Sequence, residues 1–103
     1  MTTRITYTQS EHEVFVNNLC NALKGSFDYV EANKEISTFN SNILEIDVFA
    51  LRGDDVYLFE VKCSHRISKA TKLLRRAKKY FSEYDTVKLL FYNGSANKLV
   101  ELH

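Results

Sequence analysis

The 103-residue sequence has no proline, only three glycines and only two cysteines. No repeat, low-complexity tract or linker-like stretch divides it either, and its length fits one domain, 1–103, around a single core. No run of eighteen apolar residues occurs, so no transmembrane helix is expected. The opening Met1-Thr2-Thr3-Arg4-Ile5-Thr6 has no apolar block, so no secretory leader is expected. Cys20 and Cys63 have no metal-ligand spacing and fall inside expected elements. They read as buried free thiols, which suits a reducing, cytoplasmic setting, that of a host cell if the chain is viral. Charge of either sign is in no excess: the formal net charge is +1, so bulk charge indicates no partner.

What is there is globular. Hydrophobic residues make up 45% and aromatics 13%, which excludes a disordered chain. Charge is unevenly distributed. Eight bases and no acids lie between Lys62 and Ser82, which leaves the rest of the chain net acidic and hints at one side that faces a polyanion. Ser10 followed by Glu13 is a capping box that opens a helix, with Val16, Leu19, Cys20 and Leu23 at helical spacing and Lys24-Gly25 as a glycine stop. A short strand is expected over 27–32 and a loop over 37–42. Two strong strands follow, over 43–51 and 56–63, joined by the hairpin turn Arg52-Gly53-Asp54-Asp55. A second helix over 68–84 carries the apolar stripe Ala70, Leu73, Leu74, Ala77 and Phe81. Strands over 86–92 and 98–102, with an Asn93-Gly94 turn, complete an αβββαββ order. That order predicts an α/β domain with a central mixed sheet flanked by helices.

The hairpin register sets the chemistry. Pairing Arg52 with Asp55 carries Asp47 opposite Glu60 and Glu45 opposite Lys62, with all four on one face. Opposed side chains stand about 5 Å apart at Cβ. The other face, Leu44, Ile46, Val48 and Ala50 against Tyr57, Phe59, Val61 and Cys63, is wholly apolar and must cover a core. Opposed carboxylates cost stability, and in a partly buried place they recruit a proton or a cation. Carboxylate oxygens, waters and substrate phosphate are the donors Mg²⁺ prefers. Lys62 points the same way and is suited to holding the attacking water or offsetting charge on a phosphate. On spacing alone the four also fit a solvent-facing ladder with Glu45 and Lys62 as a surface ion pair.

Asp47, twelve intervening residues and then Glu60-Val61-Lys62 resembles the PD-(D/E)XK nuclease superfamily. Leu44-Glu45-Ile46-Asp47-Val48 followed by Leu58-Phe59-Glu60-Val61-Lys62 looks most like archaeal Holliday-junction resolvases and related small endonucleases. The resemblance spans roughly Ser10 to Phe81. It implies a restriction-endonuclease-like αβββαβ core, Asp47, Glu60 and the Val61 carbonyl as ligands of Mg²⁺ or Mn²⁺, and Lys62 as the catalytic lysine. It also implies a further acid on the first helix, for which Glu13 is the best match, although capping already gives Glu13 a role. Glu31 fits that place less well and reads as a strand-edge charge. The family's named proline is absent, and Ile46 stands in its place. Where some relatives carry a glutamine on the second helix, Lys72 is the nearest residue.

On that second helix, Lys69, Lys72, Arg75, Arg76 and Lys79 lie away from Leu73 and Ala77. Such a face is usually only solvated. Following the Glu-Val-Lys strand, it and Arg66 suit contact with a nucleic-acid backbone, with no pattern for base reading. Ser64 suits a hydrogen bond near the site, and His65 reads as a loop residue. His12 falls on the apolar face of the first helix and reads as a histidine satisfied at the core edge. The expected activity is metal-dependent endonucleolytic hydrolysis of phosphodiester bonds, in DNA by resemblance, branched or junction DNA included. The alternative is a nucleic-acid-binding module of the same fold without turnover. A chain this small offers little surface for a substrate clamp, which makes a homodimer a natural expectation.

Overall fold

The computed structural model describes residues 10–62 and 67–102. Helix α1 (Glu11–Leu23) is followed by strands β1 (Tyr29–Ser37), β2 (Ile43–Arg52) and β3 (Asp55–Lys62), helix α2 (Ile67–Lys78) with a 3₁₀ turn at Lys79–Phe81, and strands β4 (Thr86–Asn93) and β5 (Lys98–Leu102). The five strands form one sheet in the order β1-β2-β3-β4-β5. All neighbours are antiparallel except β3 and β4, which run parallel with α2 as their crossover. The chain is thus an α/β protein with a mixed sheet and two helices. None of the described helices is long and apolar enough to cross a membrane.

The local signals act where the sequence puts them. Ser10 Oγ accepts the Glu13 N–H, and the Glu13 carboxylate reaches back to the Ser10 N–H, closing the capping box. The β2–β3 turn is the two residues Gly53-Asp54, with Gly53 at φ 60°, the glycine-first pattern of a II′ hairpin. Three boundaries differ from expectation, the first being α2, which ends at Lys78 and passes into the 3₁₀ turn at Lys79–Phe81 rather than running to Tyr84. Gly25 is no left-handed stop. The chain leaves α1 instead through a turn in which the Ser26 and Phe27 N–H groups both donate to the Leu23 carbonyl. Strand β1 starts later and runs longer than 27–32, because Phe27 turns inward to meet Tyr57 and Phe59 edge-on, at 4.8 and 6.5 Å between ring centroids.

A core lies on each face of the sheet. On one face Val16, Leu19 and Cys20 of α1 cover Val48, Ala50, Tyr57, Phe59 and Val61. On the other, Leu74, Ala77 and Phe81 cover Ile36, Leu44, Ile46, Phe49, Val56 and Leu58. Cys20 is a buried free thiol whose pKa is pushed up by burial, against a small opposing pull from Lys24. Strict alternation puts Leu44 and Ile46 beside Val48 and Ala50, and the structure corrects this. Leu44 and Ile46 belong to the α2 core, so β2 changes face once, at Asp47. The β1–β2 register skips the same level, between Ala32↔Val48 and Lys34↔Ile46, where Asn33 has a φ of 54°. Asparagine tolerates that left-handed conformation better than most residues, which allows the hairpin to turn there.

Candidate active site

The break at Asp47 builds the site. Strands β2 and β3 pair from Arg52↔Asp55 up to Val48↔Phe59 and then part. Asp47 and Glu60 therefore do not face each other as rungs of a regular ladder, as the extrapolated register had it. The Asp47 carboxylate stands in the fork, and its Oδ2 accepts the Val61 N–H at 2.8 Å. Glu45 pairs with Glu35 of β1 rather than with Lys62, and both glutamates are exposed. On the far side of β3, the parallel ladder with β4 continues to Lys62↔Asn93, and the Gly94 N–H donates to the Lys62 carbonyl at 2.9 Å. In an extended strand one residue's N–H and C=O point to the same neighbour. The Lys62 carbonyl thus faces β4, while Val61 turns both its polar groups to the fork.

Glu60 is only 6% exposed. Its Oε2 pairs with Lys62 Nζ at 3.2 Å, while its buried Oε1 has no donor to accept from, so the ionised carboxylate leaves that oxygen unsatisfied and only a protonated one can bond to Asp47. Burial first, then the charge and hydrogen bonding of Asp47, push the Glu60 pKa up to about 8, against a smaller downward pull from Lys62. An unsatisfied buried acceptor costs about 1–3 kcal/mol, and more when it is charged. The cluster is therefore expensive by itself, and a proton or a cation on the acid pair relieves it.

The α1 residue that reaches this centre is His12, not Glu13. His12 Nε2 lies 3.2 Å from Asp47 Oδ2, with the imidazole 41% exposed. His12, Val16 and Leu19 share one helix face, and the burial of Val16 and Leu19 aims His12 at β2. The sequence pattern alone makes His12 a core-edge residue; its position one turn before Val16 is the signal that it overhangs the sheet. Glu13 is exposed and occupied in the capping box. Glu31 sits on edge strand β1 and accepts from the Tyr29 hydroxyl at 2.6 Å, a strand-edge charge as expected.

Lys69, Lys72, Arg75, Arg76 and Lys79 are exposed along α2 and its 3₁₀ turn. Among the described residues no ion pair joins Lys69, Lys72, Arg76 or Lys79 to Asp47 or Glu60. Lys79 Nζ instead lies over the Phe39 and Tyr80 rings, at 5.9 and 5.4 Å. Cys63, Ser64, His65 and Arg66 lie outside the described residues. Two cavities, of about 580 and 200 Å³, are lined by residues of α2, β4 and β5 and by none of His12, Asp47, Glu60 or Lys62. Among the described residues no three His, Cys, Asp or Glu side chains stand in a metal-holding arrangement. His12 meets Asp47, and Asp47 neighbours Glu60, as a chain of contacts.

No family model matches the chain, and no curated protein matches it.

Proposed function

We propose that this protein is a divalent-metal-dependent endonuclease of the PD-(D/E)XK kind that hydrolyses phosphodiester bonds in nucleic acid, with DNA as the substrate class the sequence resemblance implies. The observation that carries the reading is the buried Glu60 carboxylate, with one oxygen unpartnered, beside Asp47 and Lys62 in the fork between β2 and β3. The element order from α1 to β4 is the αβββαβ that the resemblance implies, and it supports the same reading.

The residues present fit Mg²⁺ or Mn²⁺. Both prefer oxygen donors, and the orphaned Glu60 oxygen is an acceptor that a cation satisfies. Asp47, Glu60 and the fork-facing Val61 carbonyl would hold the ion. Such an ion withdraws charge from a phosphate oxygen and makes bound water more acidic. The chain's own groups do the rest. The Val61 N–H fixes the orientation of Asp47. Glu60 keeps Lys62 Nζ at the mouth of the fork, where the ammonium offsets charge growing on the phosphate as water attacks phosphorus and the bond to the leaving oxygen breaks. Lys62 and His12 are both partly exposed, so the site opens to the surface, as a polymer substrate requires. The basic face of α2 supplies salt-dependent backbone attraction.

The test is a cleavage panel of plasmid, single strand, four-way junction and RNA, each with Mg²⁺, Mn²⁺ or EDTA. Cleavage of at least one substrate, abolished by EDTA, is expected. Binding without cleavage in Mn²⁺ on every substrate would replace the nuclease with a binding module, and neither binding nor cleavage would end the reading.

A further inference from the structure

We propose that Phe39, at the tip of the β1–β2 hairpin, is a stacking station for an unpaired base of a DNA strand, with Lys79 beside it to take a phosphate of the same strand. The inference rests on the nucleic-acid reading above and names the form of substrate this surface recognises, DNA with single-stranded character.

Phe39 is 81% exposed. A lone exposed aromatic is ordinary by itself. This one is held in place. The Thr38 N–H and the Thr38 hydroxyl both donate to the Asn42 carbonyl at 2.9 Å, and the Ser41 N–H donates to the Thr38 carbonyl at 3.1 Å. The Phe39 N–H donates to the Tyr80 hydroxyl at 3.3 Å, which ties the hairpin tip to the turn after α2. The two rings lie 4.7 Å apart at their centroids, tilted by 47°. A fixed loop thus presents a ring with most of its surface open. Such a ring offers a base a π surface at little ordering cost, and stacking of this kind tolerates any sequence because every base has a π face.

Charge selects the partner. Lys79 Nζ lies 5.9 Å from the Phe39 centroid and 5.4 Å from that of Tyr80. Among the described residues no ion pair joins Lys79 to an acid. Lys72 and Arg76, both exposed, precede it at helical spacing on the same face. The tip from Ser37 to Ile43 carries no charged residue. Glu35 and Glu45 lie two positions further in, but Ile36 and Leu44 are buried in the α2 core, so alternation turns both glutamates to the opposite face. A DNA strand therefore meets cations and an aromatic, and no carboxylate from the hairpin. The sugar of a nucleotide holds its phosphate and base a few ångströms apart, which suits an ammonium and a ring this close together. Bases in a duplex are already stacked on one another, so an unpaired base is the one free to use the ring.

Competing roles for Phe39 are to anchor the hairpin on Tyr80 by apolar contact alone, or to pack against a second copy of the chain. Binding is measured in EDTA, which removes cleavage, by fluorescence anisotropy of a labelled oligothymidylate and of a blunt DNA duplex. Phe39→Ala should weaken oligothymidylate binding about tenfold and duplex binding less than about twofold. Phe39→Leu keeps an apolar contact but has no π face, and should bind as weakly as Phe39→Ala. The chain has no tryptophan, so Phe39→Trp places a single reporter in the station. It should keep wild-type affinity, and the oligothymidylate should quench its fluorescence. Lys79→Gln should weaken both ligands and lower the salt slope by about one. Phe39 and Lys79 are exposed, so all four variants should fold, which circular dichroism checks. No binding of oligothymidylate by the wild type, an unchanged affinity in Phe39→Ala or Phe39→Leu, equal losses on both ligands, or no quenching in Phe39→Trp would each overturn the station. Self-association in sedimentation that Phe39→Ala abolishes would overturn it too, in favour of a second copy. The nuclease reading fails separately: the expected affinities without cleavage support the station and remove the nuclease, whereas cleavage with no response to Phe39 removes the station alone.

Discussion

Asp47 Oδ2 accepts the Val61 N–H at 2.8 Å, so a side chain takes the place of a backbone carbonyl where β2 and β3 part. That single bond joins the architecture to the chemistry. It satisfies a backbone donor that the fork would otherwise orphan, and it holds a carboxylate beside Glu60 at a fixed height in the sheet. Asp47 therefore has a structural role beside its proposed chemical one, and substitutions there separate the two.

Asp47→Asn keeps an acceptor oxygen for the Val61 N–H and should fold with near-wild-type stability while losing divalent-metal binding. Asp47→Ala leaves that buried donor unsatisfied and should cost about 1–3 kcal/mol as well. Urea denaturation of the two variants in EDTA checks the difference. Equal stabilities would mean that the Val61 bond contributes nothing to the fold.

Lys62→Ala should leave the fold intact, because the side chain is about one-third exposed, and should lower cleavage by about a hundredfold or more. Calorimetry should still find the metal bound, since the lysine is no ligand. Lys62 also pulls the Glu60 pKa down, so the variant's carboxyl should titrate even higher than in the wild type. Full activity in this variant would remove Lys62 from the mechanism.

Stability in EDTA should fall as pH rises from about 4.5 to about 8. The folded Glu60 keeps its proton up to about 8, whereas the ordinary value of the group is 4.5. Between these values the folded state binds more protons than the unfolded state, so raising the pH favours unfolding. The stabilisation is complete below the lower value and gone above the upper one. Glu60→Gln should flatten this part of the profile. Added Mn²⁺ should stabilise the wild type most at the alkaline end, where it no longer competes with a proton. Urea midpoints across this range provide the measurement, and a flat wild-type profile would contradict the burial-driven shift.

Much of this was legible because its causes are local. The Ser10–Glu13 box, the Gly53-Asp54 turn and the Ala70–Leu74–Ala77 stripe each depend on residues within a few positions of one another, and each forms where the sequence puts it. The acid centre was legible as a set, Asp47 with Glu60 and Lys62, but not as a geometry. Extrapolating the hairpin register assumes an unbroken ladder, and the ladder stops because Asp47 competes for the Val61 N–H. The face change at Asn33 and Asp47 depends on a positive φ that composition does not announce. His12 was missed because a helix-face histidine looks alike whether it overhangs a core or an acid, and only the packing of α1 on β2 distinguishes them.

Gly94 gives a prediction that is independent of the chemistry. A Cβ at this position would overlap the Phe15 ring of α1, so the β4–β5 turn and the first helix meet without room for a side chain. Gly94 does not adopt a positive φ, which makes the constraint one of packing and not of backbone conformation. Gly94→Ala should therefore destabilise by about 1–3 kcal/mol, as overpacking does. In a Phe15→Ala background the same substitution should be nearly neutral, because the overlapping ring is gone. The double-mutant cycle should then show a coupling of the same size as the single cost. Because the Gly94 N–H also holds the Lys62 carbonyl, Gly94→Ala should lower cleavage as well, and Phe15→Ala should restore part of it. Additive stability effects would mean that the helix and the turn are not in contact in solution.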